Sequence, residues 1–302
     1  MAIIPGYVKA ISRKTPYLDR RSAEADRLSP VAALVQRHDR DRYQTVLFAS
    51  VARREALFAL YAFNYEIARV RERVTEPILG RMRLEWWREA VAAAFDGGPV
   101  RHHVVVEPLT AAIREYPLSR AHFDRLIDTR ETDLHDEPQA SLEALEDYVE
   151  GTSARLVYLA LEILGASDPP TTLAGFHVGI GYALAGLLHA MPYLVGTGRR
   201  FIPSDISART GLDNADYRSL RTRPALRAAS TELAAAAARH LASARTASIA
   251  RFALPALLPA KIAQRSLARL RRAGYDPFDP SLTARDPLQS WRLAIAMLLG
   301  RF

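Results

Sequence analysis

The sequence predicts an all-α protein folded as a single domain, residues 1–302, and three observations lead to this prediction. Hydrophobic residues make up 49% of the 302 residues and charged residues 25%, a balance typical of globular proteins. Apolar residues recur at helical spacing along most of the chain, and no segment shows the period-two alternation of a strand. Proline and glycine are spread between the predicted helices, so no linker divides the chain.

The first two predicted helices lie in the N-terminal third. Residues 54–74 carry apolar side chains at helical spacing, which predicts one helix over this range. Thr75 is expected to cap a second helix with Pro77 in its first turn. That helix should run to about Phe95, because the Gly97-Gly98 pair stops it.

Two polar helices are predicted in the middle of the chain. Ser119 is a candidate N-cap for a helix that reaches about Leu134. Ser141, followed by Glu143, opens a longer helix that should continue to Gly165.

The most apolar segment is predicted to form a helix from Thr171 or Thr172 to Pro192. Residues 169–198 contain no Asp, Glu, Lys or Arg, so a membrane span is possible by length. Gly175 and Gly179 form a small-residue face that lets another helix approach closely. A buried central helix is therefore the preferred interpretation.

Three helices are expected in the C-terminal part, over 224–249, 259–273 and 287–301. The first is rich in alanine, the strongest helix former. The last is amphipathic and carries one apolar stripe, which consists of Leu288, Trp291, Ile295, Leu298, Leu299 and Phe302. This stripe is a docking face, for which packing within the molecule is the default and a partner or membrane surface is the alternative.

Charge and composition restrict the classes of partner and chemistry. The chain has a net charge of +8 and no cysteine, which excludes disulfides, thiolate nucleophiles and cysteine-ligated metals. A positive chain favours anionic partners, but no run of five basic residues is present, so nucleic acid is not expected. Arg265, Arg269 and Arg272 share one helix face that could meet phosphate headgroups, and a solvated face is the preferred alternative. We expect neither a secretory signal, because apolar residues precede basic ones at the N-terminus, nor a mitochondrial presequence.

One acidic stripe is a weak candidate for a metal site. Asp124, Asp128, Glu131 and His135 fall on one helix face, and such oxygen and imidazole groups suit Mg²⁺, Mn²⁺ or Fe²⁺. The preferred alternative is a solvated face whose ion-pair partners are Arg125 and Arg130.

Several segments, taken together, resemble the squalene/phytoene synthases over roughly residues 40–270. These segments are LFASVARREALFALYAFN (47–64), LIDTRETDL (126–134), YVEGTSARL (148–156), HVGIGYALAGLLHAMPYL (177–194) and GRRFIP (198–203). The resemblance implies an isoprenoid-synthase-like helical bundle around a central cavity. Enzymes of this family join two prenyl diphosphates with Mg²⁺ that two Asp-rich motifs hold.

At the positions that match those motifs, this sequence departs from the family pattern. The first motif corresponds to Ala68, Arg69 and Glu72, and the second to the stretch from Leu188 to Pro192. Because a diphosphate leaving group needs hard cations held by several carboxylates, we expect no catalytic residues, no bound metal and no cofactor. Tyr148, Asp133 and Arg199 still match the family.

A narrower resemblance is to a branch of the family that lacks the Asp-rich motifs and serves the assembly of respiratory complex I. Segments 62–91, 128–136, 148–165 and 191–206 carry it. It implies a noncatalytic scaffold or assembly factor, here expected to be bacterial, cytoplasmic and peripheral at the inner face of the inner membrane. The expected partners are complex I subunits or assembly intermediates, an anionic membrane surface, and an isoprenoid lipid or diphosphate.

Candidate ligand-binding residues follow from the same resemblance and flank the expected cavity. They are Tyr61, Asn64, Glu66, Arg69, Tyr148, His189, Tyr193, Arg199 and Arg200. Two other functions stay open. One is an isoprenoid transferase whose Mg²⁺ site has moved to the acidic stripe or to Glu66, Glu72 and Glu76. The other is a peripheral lipid-binding protein. Residues 1–29 are expected to form an N-terminal extension.

Overall fold

A computed structural model describes residues 28–135, 137–213, 223–246, 249–284 and 286–302, and this part of the chain contains helices but no strand. The α-helices in chain order are α1 (Pro30–His38), α2 (Arg40–Val46), α3 (Val51–Ala68), α4 (Pro77–Phe95), α5 (Val106–Glu115), α6 (Arg120–Glu131), α7 (Leu142–Val149), α8 (Arg155–Leu164), α9 (Pro169–Gly196), α10 (Ser204–Thr210), α11 (Pro224–Ser243), α12 (Leu254–Leu257), α13 (Pro259–Arg272) and α14 (Gln289–Leu299). The all-α prediction is confirmed. Residues 1–27 of the expected N-terminal extension lie outside the described residues.

The break between α3 and α4 comes earlier than predicted. Helix α3 ends at Ala68 rather than at residue 74, and Arg69 leaves helical geometry with φ −93° and ψ 2°. A short 3₁₀ turn follows, and extended Glu76, not Thr75, precedes α4. Pro77 explains the second boundary, because a proline disfavours helical geometry in the residue before it.

The helix predicted over 141–165 is divided into two. Ser141 caps α7 as predicted, since its side chain accepts a hydrogen bond from the backbone N–H of Ala144. A π-turn, Glu150–Ala154, then joins α7 to α8, and α8 ends at left-handed Gly165. Apolar periodicity did not reveal this turn, because its inner residues 151–154 are buried like those of the flanking helices.

Helix α9 is the central helix, and it packs against α8, α11 and α13. It starts earlier and ends later than predicted, because Asp168 caps its N-terminus and Pro192 lies inside it. By length and composition it could cross a membrane, but half of its most apolar window is buried within the protein. A Cβ on Gly179 would lie 2.4 Å from the Cα of Ala154, which confirms the predicted close approach.

The C-terminal helix departs from the expectation that its stripe packs within the molecule. Leu293 and Ala296 of α14 are buried against Leu258, with Phe48 and Ile262 beside them. The opposite face carries the predicted stripe, and its side chains are exposed. They are Leu288, Trp291, Ile295, Leu298 and Leu299. Phe302, predicted to extend this stripe, is buried instead.

The other boundaries follow from local turns. Helix α11 ends at Ser243 rather than near residue 249 and continues as a 3₁₀ turn, Ala244–Thr246. Helix α6 likewise continues as the 3₁₀ turn Thr132–Leu134. The sequence pattern did not predict α1, α2, α5, α10 or α12.

Candidate functional site

A cavity of about 240 Å³ lies where four parts of the fold meet. The end of α3 contributes Ala68 and the 3₁₀ turn after α6 contributes Asp133. Helix α7 contributes Tyr148, and the C-terminal part of α9 contributes Leu187 and Leu194. The cavity therefore has an apolar wall from α9 and a polar wall from α6 and α7.

Asp133 is the centre of the polar wall and is only 6% exposed. Its Oδ1 accepts hydrogen bonds from the guanidinium of Arg199 at 2.7 Å and from the hydroxyl of Tyr148 at 2.8 Å. Its Oδ2 accepts one from Arg130 at 3.0 Å, and Arg130 also donates to the Tyr148 oxygen at 3.1 Å. One carboxylate thus binds two guanidinium groups and a phenol, so both of its oxygens accept hydrogen bonds.

The phenol of Tyr148 stays protonated at neutral pH. Burial raises its pKa well above the usual value, and the negative charge of Asp133 raises it further, although Arg130 opposes the rise. A protonated phenol donates rather than accepts toward the carboxylate. The network is accordingly a fixed set of charge-assisted hydrogen bonds rather than a proton-transfer pair near neutral pH.

Local structure explains how the four side chains meet. Asp133 follows Arg130 by three residues, so the turn after α6 puts them on one side. Tyr148 lies just before the π-turn, and the hydroxyl of Thr152 donates to its backbone carbonyl at 2.9 Å. Gly198, with φ 79°, turns the chain after α9 and brings Arg199 back to Asp133.

Ala68 of the first motif lines this cavity, and Glu72 of the same motif contacts Tyr193, which directly follows the second motif position Pro192. The Nε of Arg69 donates to Glu72 at 3.2 Å, and the hydroxyl of Tyr193 on α9 donates to the same carboxylate at 3.2 Å. Leu188 is buried in the hydrophobic core and Pro192 is inside α9. These positions therefore hold one carboxylate, and an arginine already engages it.

Three of the predicted ligand-binding residues line the main cavity, namely Tyr148, Arg199 and Arg200. His189 instead borders a separate cavity of about 120 Å³ with Asp41 and Tyr182.

The remaining predicted residues lie outside the cavity lining. Tyr61 is buried beneath Arg42, and burial raises its pKa to about 12. Glu66 pairs with Arg73, and Tyr193 is exposed. Asn64 is buried one turn before Ala68, and its Oδ1 has no donor among the described residues.

Sequence reasoning missed several lining residues of the cavity: Arg130, Thr132, Glu137, Gln139 and Phe201. Arg130 was expected to be a partner of the acidic stripe. Its spacing of three residues from Asp133 was the available signal, because that spacing on a helix brings two side chains together.

Arginines neutralise the acidic stripe, Arg120 from the same helix at Asp124 and Arg88 from another helix at two further carboxylates. Arg88 of α4 binds Asp128 at 2.6 Å and Glu131 at 2.8 Å. The predicted partner Arg125 instead binds Asp147. His135 lines the cavity rather than joining the stripe. Within the ranges that the structure describes, no group of three or more His, Cys, Asp or Glu side chains is placed to hold a metal.

The predicted basic face on α13 is also partly neutralised. The Nε of Arg265 lies 3.4 Å from Asp286, and Arg269 donates to the backbone carbonyl of Ser281. This face is therefore a weaker phosphate-binding surface than its sequence pattern indicates.

Comparison with known proteins identifies relatives along most of the chain. Complex I assembly factor 6 of NADH dehydrogenase (ubiquinone) from Bos taurus is 32% identical over 268 residues, which cover 86% of this chain and 80% of the relative. Presqualene diphosphate synthase from Rhodopseudomonas palustris is 25% identical over 192 residues, 63% of this chain and 68% of that enzyme.

Structural comparison supports the fold independently. The squalene synthase of Alicyclobacillus acidocaldarius superimposes with a TM-score of 0.72 at 20% identity, over 87% of this chain and 98% of that structure. The family model for squalene/phytoene synthase matches residues 35–297, which include the cavity and every helix around it. The chain belongs to the squalene/phytoene synthase family.

Proposed function

We propose that this chain is a noncatalytic member of its family that acts in the assembly of respiratory complex I, the NADH:quinone oxidoreductase. The similarity to complex I assembly factor 6 supports this role, since it covers 86% of the chain at 32% identity. The presqualene diphosphate synthase relative is less similar and covers less of the chain. The role also agrees with the narrower resemblance of segments 62–91 and 191–206.

The pairing of Arg69 with Glu72 is the observation that carries the noncatalytic part of the proposal. Ionising a prenyl diphosphate requires hard cations, and each cation takes several oxygen ligands. The motif positions offer only the Glu72 carboxylate, which accepts hydrogen bonds from Arg69 and Tyr193. On the facing helix, Leu188 and Pro192 offer no oxygen ligand. A Mg²⁺ ion would find too few ligands to displace its water here.

The lining of the cavity also supports a binding or scaffolding role. Its central carboxylate, Asp133, is neutralised by Arg130 and Arg199. The wall from Leu187 and Leu194 is apolar, and buried Asn64 offers a free acceptor one turn from Ala68. An isoprenoid lipid such as a quinone or its precursor has this combination of an apolar chain and a polar head. We include such a ligand in the proposal.

Calorimetry tests the noncatalytic part directly. The purified chain is titrated with a non-hydrolysable farnesyl diphosphate analogue, with and without Mg²⁺. We expect no binding, or binding of equal affinity under both conditions. Product formation from farnesyl diphosphate is measured in parallel and should be absent. Tight binding that requires Mg²⁺, or any condensed product, would contradict the proposal and favour an isoprenoid transferase.

A deletion in the native host tests the assembly part. Loss of the gene should lower the amount of assembled complex I on native gels and the NADH:quinone activity of membranes, and the wild-type gene should restore both. Normal complex I in the deletion strain would refute the role in assembly.

A further inference from the structure

We propose that the C-terminal end of this chain docks on the surface of an anionic lipid bilayer. The proposed surface has two parts, an apolar helix face and a group of cations beside it. Both a noncatalytic assembly factor and an isoprenoid transferase could use such a surface. The proposal therefore does not depend on a role in complex I assembly.

The apolar part, here called the docking face, is the exposed stripe of α14. Trp291 is 70% exposed, Leu298 74% and Leu299 63%, with Leu288 and Ile295 about half exposed. At 100° per residue these five side chains span an arc of roughly 100°. Leu293 and Ala296 point to the opposite side and are buried. Helix α14 is therefore anchored by one face and offers a second apolar face to the outside.

The charged part, here called the basic notch, lies at the C-terminal end of the same helix. Arg245, Lys261 and Arg301 line a cavity of about 410 Å³ together with Gly300 and buried Phe302. None of the described residues that line it has an acidic side chain. Among the described residues, none of these three cations belongs to a salt bridge. Burial lowers the pKa of Lys261, and the charges of Arg245 and Arg301 lower it further.

The two parts are continuous along the chain. The docking face ends at Leu299, and the next residue, left-handed Gly300, turns the chain into the basic notch. Arg251 donates to the backbone carbonyls of Met297 and Leu298, which places exposed Phe252 next to the same helix end. Apolar and cationic groups are thus concentrated at one end of α14.

Charge complementarity favours a lipid surface over a protein partner. At the other end of α14, Asp286 lies 3.3 Å from the Nε of Arg292 and 3.4 Å from that of Arg265, so an acidic side chain offsets the cations at that end. A protein partner would need several carboxylates matched to three crowded cations. An anionic bilayer presents phosphates everywhere, and helices that lie in its interface combine an apolar face, tryptophan and flanking cations.

Vesicle flotation of the purified full chain tests the proposal. Vesicles contain phosphatidylcholine alone or mixed equally with phosphatidylglycerol. We expect binding to the anionic vesicles at least about tenfold stronger than to the neutral ones, and weaker binding at high salt. Equal binding to both, or no binding to either, would overturn the proposal. Dimerisation through this face without any lipid binding would also overturn it.

Matched variants assign the binding to the proposed surface. W291S/L298S should reduce the affinity for anionic vesicles about tenfold. The control M82S/L173S removes two side chains of similar exposure, 63% and 57%, from α4 and α9 and should bind like the wild type. R245E/R301E should abolish the preference for anionic lipid, whereas R81E/R83E, at two exposed positions of α4, should keep it. Equal losses in test and control pairs would contradict the assignment.

Tryptophan fluorescence provides a second readout that does not depend on folding of a disruptive variant. Trp87 is buried and Trp86 half-buried, so Trp291 is the tryptophan that a bilayer can cover. Anionic vesicles should shift the emission of the wild type to shorter wavelength. The conservative variant W291F should keep most of the binding but lose this shift. A shift that persists in W291F would show that another surface meets the lipid.

Discussion

The cavity network and the basic notch both collect cations, but only the first contains its own counter-charge. Around Asp133, two guanidinium groups and a phenol share one buried carboxylate. In the notch, Arg245, Lys261 and Arg301 line one cavity, and none of the other described residues that line it has an acidic side chain. Removing the carboxylate of the first cluster would leave buried cations uncompensated, whereas the cations of the second lie at the surface, where an external anion can reach them. We therefore expect changes in the first cluster to alter stability and changes in the second to alter binding.

The largest expected effect comes from breaking the neutralised cluster. D133N leaves Arg130 and Arg199 without their carboxylate, and an uncompensated buried charge typically costs about 3–5 kcal/mol. Urea unfolding should show this loss in the free energy of unfolding. The control is D124N, since Asp124 is 42% exposed and lies 3.9 Å from Arg120. It should cost less than about 0.5 kcal/mol. Similar costs for both would mean that the network is not structural.

A second prediction concerns the packing beneath the cavity network. G179A puts a methyl group against the backbone of Ala154 in the π-turn, where the Cβ would lie only 2.4 Å from Cα. The strain should lower the free energy of unfolding by about 2 kcal/mol. Gly186, on the same helix, has no neighbour within 4 Å of such a Cβ. Thermal unfolding of G186A should therefore show unchanged or raised stability, because alanine favours helix.

A smaller effect is expected when one hydrogen bond is removed from the network. Y148F deletes the hydroxyl that donates to Asp133 at 2.8 Å and should cost about 1 kcal/mol in urea unfolding. Y193F is the matched control, since that hydroxyl also donates to a carboxylate but from an exposed ring. It should be nearly neutral. A larger loss in Y193F than in Y148F would reverse the ranking of the two sites.

The smallest effect on stability is expected at the docking face. W291S/L298S changes two side chains that are 70% and 74% exposed, so the free energy of unfolding should stay within about 0.5 kcal/mol of the wild type. The same variant should bind anionic vesicles about tenfold more weakly, whereas D133N should lose stability. A marked loss of stability would show that this stripe packs within the molecule after all.

The sequence predicted the helical class and the position of most long helices, because apolar residues recur at helical spacing along them. It did not predict which face of α14 is buried, since the stripe of Leu288, Trp291 and Leu298 is exposed. It misplaced the end of α3, since Arg69 can continue a helix as well as end one. It also missed the π-turn, whose buried residues follow no distinct pattern. Short helices such as α10 and α12 depend on tertiary packing more than on local preference.

The candidate site was predicted only in part. Tyr148, Arg199 and Asp133 were found through the family resemblance, but their shared hydrogen bonds depend on how three segments meet in space. Arg130 was assigned to the acidic stripe, whereas Arg88, 40 and 43 residues away from its two partners, neutralises that stripe instead. Partners separated by such distances in the chain cannot be paired from spacing along one helix.

The π-turn before α8 has a consequence for which sequence changes this protein can tolerate during evolution. It carries one residue more than a regular turn, so α7 and α8 are rotated relative to each other by roughly 100°. Deleting any one residue from Glu150–Ala154 would restore a continuous helix and turn Tyr148 away from Asp133. Segment length, rather than the identity of any side chain, sets the direction of that phenol. A single-codon deletion here would rearrange the cavity more than most substitutions within it.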